Sequence, residues 1–453
     1  MSKKPLRIVL IGGGSYAWTP RIATDIMLEP ALAGSELILH DIDLAAQEEL
    51  AAYCRLAAER TDTGVRVKTE SDLKRAVQGA DFVLLTISTG GLDAMAYDIE
   101  IPAQYGVMQS VGDTVGPGGL IRSLRNIPVI VDIAQTVESV APKAWFLNYT
   151  NPMSTLTRAI CATTALNTVG LCHELFGLLD KVASILGVDR KSMVAEVAGI
   201  NHLSWVFELR AEGRDLMSEM KAYWQTHKGQ MLQLDGEEVA REPFKDRMVL
   251  KLMLMEIYGC LATAGDRHVA EFFPYFLSEE AHHGLDYGVG LTTIAQRRQN
   301  LAKAQERVRH VISNPAEMPL RSSNEAASNI IASIAEGRET IHILNLPNKG
   351  QIDNLPREAI VETMGVVGPN GAKGITFGEI PEGVASILRR HLENQEMTVE
   401  AAFTGNRNLA LQVLINDPLM HGCSLSDANK MLDELLQAHA VLLPDRKSTR
   451  LNS

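Results

Sequence analysis

Cysteine is scarce in these 453 residues and badly spaced for pairing. There are five, at positions 54, 161, 172, 260 and 423, with no CxxC among them. An odd, scattered set argues against a disulfide framework or a structural zinc knuckle, so a functional cysteine would act singly. Positive charge is also short, with 43 Lys+Arg against 55 Asp+Glu and a net charge of -12. The basic face that general nucleic-acid binding needs is missing. No uninterrupted apolar run reaches the roughly 20 residues that cross a bilayer. The opening "MSKKPLRIVLIGGG" has a basic start, but its apolar part is one strand long and ends in glycines, unlike a signal peptide. The expected location is the cytoplasm. Internal repeats and low-complexity linkers are absent as well.

What is present is an ordinary globular composition, 46% hydrophobic and 22% charged, in a chain long enough for two or three domains. "LRIVLIGGGSYAWTPRIATDIML" reads as strand, glycine turn and helix. "SELILHDID", "VRVKTE", "ADFVLLTIS", "AWFLNYTNP" and "TVGLC" read as further strands, with helical stretches between them. Strands alternating with helices predict a parallel sheet with right-handed crossovers. The expected fold is therefore α/β, a Rossmann-type doubly wound sheet over residues 1–195. A mixed α/β region over 196–445 follows, the arrangement of lactate and malate dehydrogenases. The polar tail 446–453 reads as disordered. The 17 methionines are scattered and read as core filler.

Gly12, Gly13, Gly14, Ser15, Tyr16 and Ala17 fit G-x-G-x-x-A between a strand and a helix. That is the context in which a backbone turn approaches a pyrophosphate at a helix N-terminus. Asp41 closes the second strand, where an acid binds the ribose hydroxyls of NAD, and no arginine follows it to receive a 2′-phosphate. The expected cofactor is NAD rather than NADP. The bland readings are a glycine turn that binds something else and an aspartate that caps a helix. In "VGLCHELFG", Cys172 beside His173 could be a metal ligand, a nucleophile, a redox thiol or packing, and the residues alone leave this open.

Four further motifs, "YDIEIPAQYGV" (97–107), "GDTVGPGGLIRSLRNIP" (112–128), "NYTNPMS" (148–154) and "GLCHELFG", are followed by "GINHLSW" (199–205). With this ordered set the chain resembles glycoside hydrolase family 4, the NAD- and metal-dependent glycosidases. The resemblance implies that Cys172 and His202 bind a divalent metal, manganese first. It also implies a redox route to glycoside cleavage. Hydride leaves C3 of the sugar for NAD⁺, a base takes the C2 proton, and the leaving group departs from C1. Water then adds and the hydride returns, which sets the family apart from two-carboxylate glycosidases. Asp266 in "AGDR" falls where some members carry the base, and His173 where the α-acting branch carries an acid. Asn148 is expected toward the cofactor, with Asn151, Glu100, Asp113 and Arg267 toward the sugar. Arg122 and Arg125 are further candidates for an anionic group. Each of these also has a plain reading as a cap, a loop carboxylate or a salt-bridged arginine.

Phospho-glycosidases of the family place an arginine where this chain has Met95 in "AMAYDI", and a thioether cannot pair with a phosphate. The sequence thus points to an unphosphorylated α-glucoside or α-galactoside, with an α-glucuronide, α-galacturonide or other acidic sugar as the alternative. A homodimer or homotetramer is expected. The competing classes are an NAD-dependent hydroxyacid dehydrogenase, which needs no Cys–metal site, and a non-catalytic binding protein.

Overall fold

The computed structural model describes residues 5–323 and 325–444; the tail 446–453 lies outside them. Thirteen strands form one sheet. Six come from the first part of the chain: β1 (Arg7–Ile11), β2 (Glu36–His40), β3 (Arg66–Thr69), β4 (Phe82–Leu85), β5 (Trp145–Asn148) and β6 (Asn167–Gly170). They pair in parallel in the order β3-β2-β1-β4-β5-β6. This is the Rossmann order. Residues Val9, Leu10, Val83, Leu84, Phe146 and Leu147 have no solvent exposure. The central strands read as unbroken apolar runs because helices cover both faces.

The other seven are β7 (Val194–Ile200), β8 (Leu203–Ala211), β9 (Arg214–Asp215), β10 (Leu261–Ala262), β11 (Thr340–Pro347), β12 (Ile360–Gly368) and β13 (Gly371–Gly374). They extend the same sheet antiparallel in the order β6-β11-β12-β7-β8-β10, with β13 on β12 and β9 on β8. The join is a single residue pair, Gly170 of β6 opposite Asn345 of β11. A Cβ on Gly170 would stand 2.4 Å from Met153 Sδ and 2.9 Å from Asn345 Cβ, so glycine is needed for this close approach.

The motif "GPGG" forms the first turn of the 25-residue helix Gly116–Val140. A Cβ on Gly119 would stand 2.5 Å from the Thr114 carbonyl, so these glycines let the helix press against the loop before it. Arg125 of that helix makes a two-pronged bond to Asp98 at 2.7 and 2.6 Å, both residues wholly buried. His439, also buried, approaches the same carboxylate at 3.1 Å. The sequence lists Arg125 as a candidate for an anionic ligand; it is spent on Asp98 and on the Thr89 carbonyl.

One core residue sets a pH dependence. His391, on the helix Glu382–Thr404, is 1% exposed, and neither ring nitrogen has a partner. Its ring stands edge-on to Phe272 at 4.8 Å. Burial, with Arg390 nearby, pushes its pKa from 6.5 down to about 3. Between those values the unfolded chain takes up a proton that the folded chain refuses. Stability should therefore fall by about 1.4 kcal/mol per pH unit as pH drops below the unfolded value. His391→Leu should lessen the slope by that one proton's share, leaving the share of other buried histidines, which urea unfolding at pH 7 and pH 5 would read; an unchanged slope would place the acid sensitivity elsewhere.

Candidate active site

Strand order reverses between β1 and β4, and the crevice at the C-terminal ends of such strands is where open α/β sheets bind ligands. The glycine turn leaves β1 at this point. Gly12 has φ +91°, and a Cβ there would stand 2.7 Å from the Thr86 carbonyl oxygen, so only glycine serves. Gly14 N–H donates to Asp41 Oδ2 at 2.7 Å, and Asp43 N–H to Asp41 Oδ1 at 2.9 Å. Asp41 thus closes the turn from the end of β2. The helix that follows begins only at Thr19. Ser15 and Ala17 lie in the turn before it, with Ser15 Oγ accepting from Trp18 N–H at 3.3 Å. The Tyr16 hydroxyl is bonded to Glu49, which Arg309 also holds at 2.7 Å. The turn, the acid on the neighbouring strand and the switch point together fit a dinucleotide.

Next to this crevice three side chains from three elements converge. Asp113 stands in the loop before the helix Gly116–Val140, His202 in the turn between β7 and β8, and His268 in the short helix Asp266–Ala270. Their donor atoms lie within 4.8 Å of one another. The two imidazole rings are 4.1 Å apart, tilted by 41°. Burial is the main reason His268 is pushed down to about 3, with His202 beside it adding to the effect, and burial likewise lowers His202. Burial works against ionisation of Asp113, but His268, His202, Arg122 and Arg297 hold its carboxyl well below the usual range. Neutral imidazoles with an ionised carboxylate are the protonation states a metal ligand set requires.

Cys172 lies just beyond β6, outside this trio. Burial, with Glu362 and Glu174 nearby, pushes its thiol well above 9. Asn201 is beside it, 2% exposed, its amide turned to both the Cys172 thiol and the Glu362 carboxyl. The donors present, thiol, imidazole and carboxylate, fit a first-row divalent cation.

A cavity of about 220 Å³ opens beside them, lined by His173, Glu174, Asp246, Asp266, Arg267 and His268 among others. Glu174 accepts from Gly265 N–H at 2.7 Å; burial raises its pKa, but His268, His173 and His202 together bring it down to about 2. Asp266, 1% exposed, accepts from Leu250 N–H at 3.2 Å and Lys251 N–H at 3.1 Å. It therefore caps the helix Val249–Tyr258. Burial, then Asp246, raises it to about 7. The two capping bonds leave each oxygen a further lone pair. His173, 46% exposed on its side chain, stands 3.7 Å from both Glu174 and Glu325 and edge-on to Trp18.

The profile of family 4 glycosyl hydrolases matches residues 7–188, and that of the family's C-terminal domain residues 197–420. The chain belongs to glycosyl hydrolase family 4. It is 34% identical over 444 residues to an alpha-galacturonidase of Bacillus subtilis (strain 168), covering 95% of this chain and 97% of that one. It is 33% identical to an alpha-galactosidase of the same strain, covering 97% of this chain and 100% of that one. Its fold superposes with a TM-score of 0.80 on a Thermotoga maritima 6-phospho-beta glucosidase solved with manganese, NAD⁺ and glucose-6-phosphate, at 22% identity over 97% of this chain and 99% of that one.

Within this family 4 fold, two of the expected site residues stand apart from the converging side chains. Asn148, expected toward the cofactor, is wholly buried and turned inward. It accepts from Thr150 N–H at 2.9 Å and donates to Thr157 Oγ1 at 3.0 Å, stapling its own turn. Glu100 lies exposed on the helix Gly91–Gln104, outside the converging cluster, whereas Asp98 two residues earlier faces inward; helical spacing puts the two on opposite sides. Asn151 precedes a cis proline, and its carbonyl accepts from Arg122 Nε at 3.0 Å. Met95 is buried, at 4% exposure.

Four further groups at the site carry no role in the sequence motifs. His268 is one. Glu271, fully buried, accepts from Val111 N–H at 2.7 Å and Gly112 N–H at 2.8 Å, and burial raises it to about 8. Arg297 donates to the Val111 carbonyl at 2.9 Å, its Nε is buried without a partner, and burial lowers it to about 10. Glu174 is the fourth. "GDRHVAE" and "IAQRRQN" carry the first three at helical spacing, which reads locally as a polar helix face.

Proposed function

We propose that this family 4 protein hydrolyses an α-hexuronide, an α-galacturonide in the first place, with NAD⁺ and a divalent metal, manganese first. One observation carries the acidic substrate. Arg267, in the cavity wall, gives an N–H group to Thr292 Oγ1 at 3.0 Å and lies over the Phe244 ring at 4.7 Å, with no ion pair to any described carboxylate. Arg297, near it, keeps a buried Nε without a partner. Guanidiniums left with unused donors suit a substrate carboxylate, since guanidinium–carboxylate pairs are strong and directional. The alpha-galacturonidase relatives support the same class. The neutral α-galactoside is the second reading, favoured by the alpha-galactosidase relative. The buried Met95 leaves no guanidinium at that position for a 6-phosphate.

When bound, NAD⁺ would supply reversible hydride acceptance and a divalent metal would supply Lewis acidity toward an oxidised sugar. The chain's own residues do the rest. Gly12, Gly13, Gly14 and Asp41 hold the dinucleotide at the switch point. Cys172 and His202 hold the metal. Asp266 takes the C2 proton, and its two capping bonds fix the direction in which its free lone pairs point. His173, at the open side of the cavity, gives a proton to the departing C1 oxygen. Asn151 and Arg267 position the sugar.

The test is a panel of aryl α-galacturonide, α-glucuronide, α-galactoside, α-glucoside and 6-phospho-α-glucoside, with NAD⁺, Mn²⁺ and a reductant. Free galacturonate with no net NADH is expected. Stoichiometric NADH without glycoside cleavage would favour the hydroxyacid dehydrogenase. Arg267→Met and Arg297→Met should each raise KM for the galacturonide on the order of tenfold to a hundredfold, the worth of a charged hydrogen bond. KM for the neutral galactoside should stay within a few-fold; an equal rise on both would count against the carboxylate assignment.

A further inference from the structure

We infer that His268 and Asp113 ligate the same cation as His202, a two-histidine, one-carboxylate set that the Cys172–His202 pair read from the sequence does not contain. This deepens the metal reading above and rests on it.

The donor atoms of Asp113, His202 and His268 lie within 4.8 Å of one another. Donors at about 2.1 Å from one first-row cation stand roughly 3–4 Å apart, so side-chain adjustment alone closes the set. The hydrogen bonds orient two of the three. Thr114 Oγ1 is 2.8 Å from Asp113 Oδ1 and 2.8 Å from His202 Nδ1. A carboxylate can only accept, so the single Thr114 proton goes to Asp113. Thr114 oxygen then accepts from His202 Nδ1–H, which leaves the Nε2 lone pair of His202 for a metal. Asp113 keeps a second oxygen for the same purpose. One hydroxyl thus sets the tautomer of one ligand and the rotation of another, the duty that groups behind metal ligands perform.

His268 supplies the independent observation. It is 9% exposed and its Nδ1 has no hydrogen-bond partner. Its ring overlaps that of His202 at 4.1 Å, with no proton bridge between them. Two buried imidazoles side by side, one with an unused nitrogen, lack a shared partner, and a cation is one. His202 itself stands in the β7–β8 turn with φ +64°.

The nitrogen and oxygen share of this set suits Mn²⁺ better than a thiolate alone would.

The test measures metal binding without turnover. Free Mn²⁺ is titrated by electron paramagnetic resonance into the full-length protein and into His268→Gln, Asp113→Asn and Cys172→Ser. Far-ultraviolet circular dichroism and NAD⁺ affinity serve as folding controls. His268→Gln and Asp113→Asn should each weaken Mn²⁺ binding on the order of a hundredfold while still binding NAD⁺. Electron spin-echo modulation of the Mn²⁺-loaded wild type should count two ligating imidazole nitrogens, a readout that does not depend on any variant folding. One imidazole in the wild type, or wild-type affinity in both variants, would overturn the three-ligand set and leave the Cys172–His202 pair standing. No Mn²⁺ binding by the wild type would overturn both.

Discussion

Cys172→Ser should lose turnover on the order of a thousandfold, with weakened metal binding, while Cys161→Ser behaves like the wild type. The difference follows from where the two thiols sit. Cys172 ends the run from β6 into the site, beside the Asn201 amide and two residues past the join with β11. Its thiol is held protonated by burial and by Glu362 and Glu174, so a cation is needed to bring out the thiolate. A hydroxyl in its place binds such a metal weakly and supplies no compensating charge. The loss of several kcal/mol of Lewis-acid stabilisation at the sugar oxygens then appears in kcat. Cys161 lines a separate cavity of about 660 Å³ near Asn167, at the N-terminal end of β6, and its alteration leaves the site untouched. Metal analysis and turnover of both variants decide this. Full metal content and turnover in Cys172→Ser would remove the thiolate from the site.

Asp266→Asn should lower kcat by about 10²- to 10⁴-fold, the usual worth of a positioned base, and leave the protein folded. Asp266 has two duties, and the amide separates them. As a cap, asparagine still accepts one of the two N–H groups of Leu250 and Lys251, at a cost of about 1 kcal/mol. As a base it fails outright. Turnover of the wild type should rise as pH passes about 7, where burial and Asp246 have placed this carboxyl. A C2-deuterated glycoside should turn over more slowly if proton removal limits the rate. Near-wild-type turnover in Asp266→Asn would reduce Asp266 to its capping role and move the base elsewhere in the cavity.

The parallel half of the fold was legible because most of its strands, β3 excepted, are short apolar runs punctuated by glycine or an acid, with helical stretches between them. β11, "TIHILNLP", pairs along its length with the nearby β12, but the β6 strand that joins it to the parallel half lies far back in the chain, so nothing local announces that join. The same contrast holds within the site. Gly12, Gly14 and Asp41 meet through consecutive elements and their motif shows it. Asp113 and His202 fall in conspicuous loops, and Arg267 in the short helix opened by the motif "GDRH". His268 and Arg297 sit on helices whose spacing reads as an ordinary polar face, and only the folded chain turns them toward Asp113. Asn148 misled because a strand-end asparagine is as well suited to stapling a turn as to meeting a ligand, and its neighbour Thr157 settles which.

The join of β6 to β11 through Gly170 and Asn345 has a practical corollary. A cut in the chain between residues 188 and 194 would leave one fragment ending its sheet at β6 and the other beginning its sheet at β11, each with a raw edge. Unpaired edges of that kind recruit other strands. Expressed apart, the two pieces should be poorly soluble; expressed together, each is the other's missing strand, and the protein becomes a natural substrate for split-enzyme reassembly.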